Sequence, residues 1–335
     1  MNTEYGIGNR RTIHGQHSLG KSGSLACYAE INCGFYENKD YREVLFNVRN
    51  SMQKFGVKEI NIHGGLNRAR GCVTVPGFDR LSPAGAGTSG REGAPDFHAV
   101  LKVFKDIGAR IILSGAEPLL PADFLTQYPE AANVSNGILW RFFEARTEEI
   151  FRVFPEIDGI QFHLFETDQV NDQDVFREFR WAGDGPYYDA SLGVHPVYRF
   201  PLQYYSASDY FTELFAAFSR AAQKAGREFS LLTFSHYPEQ ENLLIKALEG
   251  LDPAFPVTLD HKCQPGDWSP HRPMNTCLLT LKDRGPCKIK FDGIGEYWGQ
   301  AHMPYCCPEE IQGRLQYALL QNQTLQTVGM RVGWG

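Results

Sequence analysis

The sequence has no apolar run approaching the length of a membrane span, no block of lysine or arginine, no CxxC spacing and no low-complexity tract. Each absence removes a class. Without a long apolar run a membrane-spanning helix is not expected. The 33 lysines and arginines are outnumbered by 39 acidic residues, for a formal net charge of -6, and no basic stripe exists to track phosphates, so nucleic acid is not an expected partner. Eight cysteines in a chain of this length, without metal or thioredoxin spacings and with Cys306 and Cys307 adjacent, read as reduced thiols of a cytoplasmic protein. The opening MNTEYGIGNRRTIHGQHS lacks the apolar core of a secretory signal, which points the same way. Neither HxH nor HExxH occurs, so no compact zinc motif is written into the chain.

What is present is material for one large core: 335 residues, 42% hydrophobic and 13% aromatic. Short β-like runs alternate with amphipathic helical runs, the pattern of a parallel α/β fold. Strands are expected at residues 26–33, 58–63, 110–114, 158–165, 229–236, 256–262, 287–291 and 328–332. Helices are expected at 41–55, 97–107, 140–154, 208–225, 241–248 and 308–321. Within 208–225, Phe211, Leu214, Phe215 and Phe218 recur every three or four residues and form one apolar face. Repeating strand-helix units of this number predict a (β/α)8 TIM barrel over residues 26–335, preceded by a lead-in segment of residues 1–25. The last strand has no helical pattern after it, and an uncovered strand leaves apolar surface in water. A barrel lacking its final helix, and hence a fragment of a longer protein, is the expectation. Two long Gly/Pro-rich connections, 71–95 and 168–205, follow strands two and four, on the face where barrel active sites form.

The chemistry-bearing residues fall just after apolar strands. Glu166 closes the run Ile160-Gln161-Phe162-His163-Leu164-Phe165-Glu166. Asp267 follows strand six in Lys262-Cys263-Gln264-Pro265-Gly266-Asp267-Trp268. Glu296 follows strand seven in Phe291-Asp292-Gly293-Ile294-Gly295-Glu296-Tyr297-Trp298-Gly299-Gln300. An average Asp or Glu is a solvated surface group; three of them beyond the C-terminal ends of barrel strands are placed where active-site residues lie. Glycosidic bonds are hydrolysed by carboxyl groups flanking the sugar, one protonating the leaving oxygen and another activating water or stabilising the cation. Apolar neighbours suit Glu166 to hold a proton as the acid, and the polar, Gly-flanked settings of Asp267 and Glu296 suit ionised carboxylates.

These two late segments, KCQPGDWSPHRP at 262–273 and FDGIGEYWGQ at 291–300, resemble the catalytic region of family 67 glycoside hydrolases, the microbial xylan α-glucuronidases. In that family an Ile-Lys-Tyr-Gly-Pro-Ile-Asp segment and a Gln-Glu-Tyr-Leu-Gly-Gln segment supply the paired basic carboxylates. The resemblance implies that Asp267 and Glu296 fill those roles, that Glu166 is the general acid of an inverting enzyme, and that Lys262 meets the substrate carboxylate. Inversion calls for an acid-to-base gap of roughly 6.5–9.5 Å. Two further basic residues of the family fall at Phe162 and near Thr233. The substrate is then either a different glycoside, or one whose charge is met by other basic residues such as Arg68, Arg70 or Arg199.

Trp268, Tyr297, Trp298 and Tyr305 flank the carboxylates and could stack on sugar faces; Lys262, Trp268, Tyr297, Trp298, His163 and His236 make the expected binding set for an oligosaccharide. No cofactor and no metal are expected. Two alternatives stand beside the glycosidase. His63, His163, His236 and His261 at strand ends permit a metal-dependent barrel hydrolase or isomerase. A non-catalytic carbohydrate-binding barrel would keep the aromatics without needing all three carboxylates.

Overall fold

The computed structural model describes residues 25–32, 41–81, 97–116, 120–121, 123–132, 136–163, 207–233, 238–263, 273–292 and 308–331. Eight strands pair in sequence order and close on themselves: β1 Ala26–Asn32, β2 Glu59–His63, β3 Arg110–Ala116, β4 Gly159–His163, β5 Glu228–Leu232, β6 Thr258–Lys262, β7 Cys287–Asp292 and β8 Leu325–Arg331. Every pairing is parallel, and β8 closes onto β1 through Ala26–Thr327, Cys27–Val328 and Tyr28–Gly329. Around them run α1 Tyr41–Phe55, α2 Gly65–Arg70, α3 Phe97–Lys105, α4 Phe124–Gln127, α5 Ile138–Val153, α6 Ala207–Ala225, α7 Pro238–Gly250, α8 Cys277–Thr280 and α9 Pro308–Gln321. This is the (β/α)8 barrel that the alternating runs predict. No helix among the described residues is long and apolar enough to cross a membrane.

Side chains of a strand alternate between its two faces, and here the alternation divides oil from charge. Outward positions, Ile60, Ile62, Ile111, Leu113, Ile160, Phe162, Phe229, Leu231, Leu259, Ile289 and Phe291, are buried under the helices. The apolar stripe of α6 meets them: Phe218 lies 4.1 Å from the Phe162 ring centroid, edge to face. Salt links Arg220–Glu144 and Lys224–Glu148 tie the solvent sides of α6 and α5 together.

Strand eight begins at Leu325, three residues before the apolar run that announces it, because Gln326 and Thr327 break the apolar signal; Leu325 and Thr327 pair with β7, and Gln326 is the extra residue at an irregularity between them. Strand four extends to His163 among the described residues. The short helices α2, α4 and α8 have too few residues to show a period. β8 is the last element described, so the expected absence of a closing helix lies outside the described residues. The large exposed apolar residues Phe46, Phe55, Tyr317 and Leu320 belong to α1 and α9, the helices that follow β1 and β7.

Candidate functional site: a charged barrel lumen

Inward strand positions are occupied mainly by polar and charged side chains, and they stack in tiers. At the N-terminal mouth Glu59, Arg110, Glu228 and Lys288 form a closed ring. Lys288 Nζ lies 2.6 Å from Glu59 Oε1 and 3.0 Å from Glu228 Oε1. Arg110 reaches the other oxygens, Glu59 Oε2 at 3.1 Å and Glu228 Oε2 at 2.7 Å. Two cations thus face two carboxylates in alternation, so that each buried charge meets the opposite sign. Burial pushes the Glu59 carboxyl up against the pull of Lys288. Burial acts on Glu228 too, but Lys288 and Arg110 outweigh it and hold that carboxyl below its usual range.

The next tier is a hydrogen-bonded chain. Tyr28 Oη donates to Asp260 Oδ2 at 2.8 Å, Gln161 Nε2 donates to the same oxygen at 2.9 Å, and Asn61 Nδ2 donates to Gln161 Oε1 at 2.8 Å. Asp260 is fully buried. Burial raises its carboxyl, against the fields of Lys288 and Lys290 and the two hydrogen bonds. Burial and Asp260 together push the Tyr28 hydroxyl well above its ordinary value. The β8 member of this tier is Gly329, and its lack of a side chain has a steric cause: a Cβ there would stand 2.0 Å from Tyr28 Cζ.

Two residues further along β2, β4 and β6, roughly 7 Å nearer the C-terminal rim, come His63, His163 and Lys262. The rings of His63 and His163 meet edge to face at 5.3 Å, and Ser114 Oγ forms a long 3.4 Å contact with His63 Nδ1. His163 and Lys262 are 4% and 5% exposed. Beside Lys262, Lys290 on β7 binds Glu30 on β1 at 2.6 Å. The upper lumen therefore sets imidazoles and a hydroxyl on β2 to β4 against a lysine pair on β6 and β7. Such a surface can orient a polar or anionic ligand by charge-assisted hydrogen bonds.

Of the residues named from sequence, His163 and Lys262 are brought to one lumen tier, and His63 joins them. Glu166, Asp267, Glu296, Trp268, Tyr297, Trp298, Tyr305, His236 and Arg199 lie outside the described residues. The structure also places other residues named from the sequence. His261 does not join a histidine cluster: it alternates with the inward Asp260 and Lys262, so it faces the helices, where its Nδ1 lies 3.0 Å from Thr233 Oγ1. Burial lowers its pKa to about 3. Phe162 and Thr233 also face outward, Phe162 against Phe218 and Phe229 and Thr233 against His261 and Asn275. Neither position would carry a basic residue into the lumen. Arg68 and Arg70 are engaged on α2, Arg68 over the Phe97 ring at 5.9 Å and Arg70 on Asn67. Among the described residues no group of three or more metal-ligating side chains converges.

Sequence reasoning missed the lumen acids and bases Glu30, Glu59, Asp260, Lys288 and Lys290. The period-two alternation of E-I-N-I-H in β2 and K-I-K-F in β7 carried the signal for Glu59, Lys288 and Lys290.

No protein-family model and no curated protein matches the sequence. Solved structures similar to it include a GH18 chitinase from Pseudoalteromonas aurantia, at 10% identity and TM-score 0.49 over 91% of this chain and 93% of that one. A β-mannanase from the blue mussel Mytilus edulis is similar at 9% identity and TM-score 0.45, over 92% and 87%. A sugar phosphate isomerase/epimerase from Parabacteroides distasonis follows at 11% identity and TM-score 0.44, over 94% and 89%. At this level the likenesses assign no chemistry, and the barrel rests on its own strand pairing.

Proposed function

We propose that the protein is a glycoside hydrolase acting on an acidic, uronate-bearing oligosaccharide, in the manner of an inverting α-glucuronidase. Glu166 is the general acid, Asp267 and Glu296 activate water from the other side of the sugar, and Lys262 meets the substrate carboxylate. The observation that carries this reading is Lys262 itself: a buried lysine on the lumen side of β6, at its C-terminal end, directly ahead of the segment bearing Asp267. The other two carboxylates follow β4 and β7, and parallel strands of one closed barrel end on one rim. Connectivity thus favours a shared site for all three. His163, a neighbour of Lys262 in the same tier, supplies a hydrogen-bonding edge to the sugar.

The test is hydrolysis of a panel of acidic and neutral oligosaccharides with product stereochemistry read by NMR. Lys262→Ala is expected to raise KM for the acidic substrate and spare a neutral analogue, since the interaction lost is charge-assisted. Glu166→Gln is expected to cut turnover by about 10²–10⁴-fold, less on substrates whose leaving group needs no proton. Equal losses on acidic and neutral substrates would remove Lys262 from its role. Full activity in Glu166→Gln would remove the acid.

A further inference from the structure

Every neighbouring pair of strands except β8 and β1 is linked by a described helix. Burial follows that difference. In one row of outward positions, His261, Ile289, Val328 and Cys27 are register partners across β6, β7, β8 and β1. The first two are wholly buried, Val328 is partly buried and Cys27 is exposed. One step further along β1, Ala29 is partly buried, while its partner Ile60 on β2 is fully covered. The outward faces of β8 and β1 thus form the floor of an open trough, with α9, which leads into β8, as one wall and α1, which leaves β1, as the other. The large exposed apolar residues Phe46, Phe55, Tyr317 and Leu320 sit on these two walls.

The wall formed by α9 is apolar on two sides. Ile311, Leu315, Ala318 and Leu319 pack on the core. At about 100° per residue, Gly313, Tyr317 and Leu320 fall on the opposite side, where Tyr317 is 44% and Leu320 76% exposed. From Ile311 to Gln321 the charged residue is Arg314, and it is paired with Glu310. A helix apolar all round is one that is covered all round, and depletion of charge marks the core of an interface. The chain therefore carries both halves of one contact, a trough without a helix and a helix with a spare apolar face.

We propose that two copies of the chain associate by a two-fold exchange in which α9 of each lies in the β8-β1 trough of the other. A two-fold axis along the helices keeps them all pointing the same way, so the inserted helix runs as the barrel's own helices do, and the contact closes on itself. Its size is sufficient. The 14 residues of α9 make a cylinder about 21 Å long and 10 Å across. Half of the surface of two such helices, with the trough surface that each covers, amounts to about 1,300 Å², within the roughly 1,200–2,000 Å² that stable interfaces bury. The pairing is independent of the reaction proposed above.

The test is sedimentation velocity of the full chain over a micromolar concentration series, combined with iodoacetamide labelling of Cys27 read by peptide mass spectrometry. A monomer-dimer equilibrium is expected, with a micromolar or tighter Kd for an interface of this size, and labelling of Cys27 should slow as the dimer fills because the inserted helix covers it. Leu320→Glu puts a charge on the inserted face, and Cys27→Arg puts one on the trough floor. Each charge enters the interface at two symmetric points and should raise Kd by about 100-fold or more; in Leu320→Glu, labelling of Cys27 should become fast at every concentration. Both positions are exposed, so circular dichroism should show the fold kept, and if one variant does not fold the other decides. A monomer throughout the series would overturn the proposal, and slow labelling of Cys27 in that monomer would put a segment of the same chain over the trough. A dimer that survives either substitution places the contact elsewhere and overturns it as well.

Discussion

Tyr28 on β1 and Asp260 on β6 meet across the inside of the barrel, hydroxyl to carboxylate, at 2.8 Å. The contact spans strands that never pair with each other, so it braces the closed ring rather than any one ladder. Removing the hydroxyl in Tyr28→Phe leaves a buried carboxylate with one donor fewer. The expected loss is about 1.5–3 kcal/mol, the range for hydrogen bonds to charged groups, measured by urea unfolding.

Gly329 and Tyr28 are coupled by shape. Gly329→Ala puts a methyl group where the tyrosine ring stands, and overpacking of this kind costs about 1–3 kcal/mol or more. Combined with Tyr28→Ala, which vacates the space, the alanine should cost far less. A double-mutant cycle without coupling between the two sites would contradict this packing.

The ring at the N-terminal mouth separates buried from exposed charge. Lys288 is 7% exposed in its side chain and touches both glutamates, whereas Arg110 is 49% exposed. Lys288→Met should destabilise by about 3–5 kcal/mol, because it removes the buried cation and leaves two lumen carboxylates sharing the half-exposed Arg110. Arg110→Met should cost about 1 kcal/mol or less, as water can replace it. Comparable losses for the two, in the same chemical denaturation experiment, would mean that the ring does not act as a buried unit.

His261 makes a pH prediction. Its folded pKa is about 3 against an ordinary 6.5, so between those values the unfolded chain binds a proton that the folded one refuses. The contribution to stability is complete above pH 6.5 and falls as the pH drops toward 3, by about 1.4 kcal/mol per unit at the steepest. Unfolding free energies at pH 7 and pH 5 should therefore differ less in His261→Asn than in the unaltered protein. An unchanged difference would assign the acid sensitivity to the lumen carboxylates instead.

The strands were legible because each is a short β-like run, apolar at least at alternate positions, and β8 is displaced at its start. The direction of individual side chains was less so. His261 and Lys262 are adjacent, and period two allows only one of them into the lumen; a reading by proximity to strand ends places both there. The same parity turns Phe162 outward against Phe218, although a sequence match sets it opposite a basic residue. The ion pairs were not legible at all. Lys288 and Glu59 are 229 residues apart, and Lys290 and Glu30 are 260 apart; nothing local in either segment names its partner. Closure of the barrel makes the pairing.

That long reach constrains how the chain can be divided. A cut between β4 and β5 would leave Glu30, Glu59 and Arg110 on one piece, and Glu228, Asp260, Lys262, Lys288 and Lys290 on the other. Each piece would then hold lumen charges whose counterions lie on its sibling, the named acids outnumbering the bases on the first and the bases outnumbering the acids on the second. Neither half-barrel would satisfy its own lumen charges alone. Closure of the barrel is thus what neutralises the lumen charges of both halves.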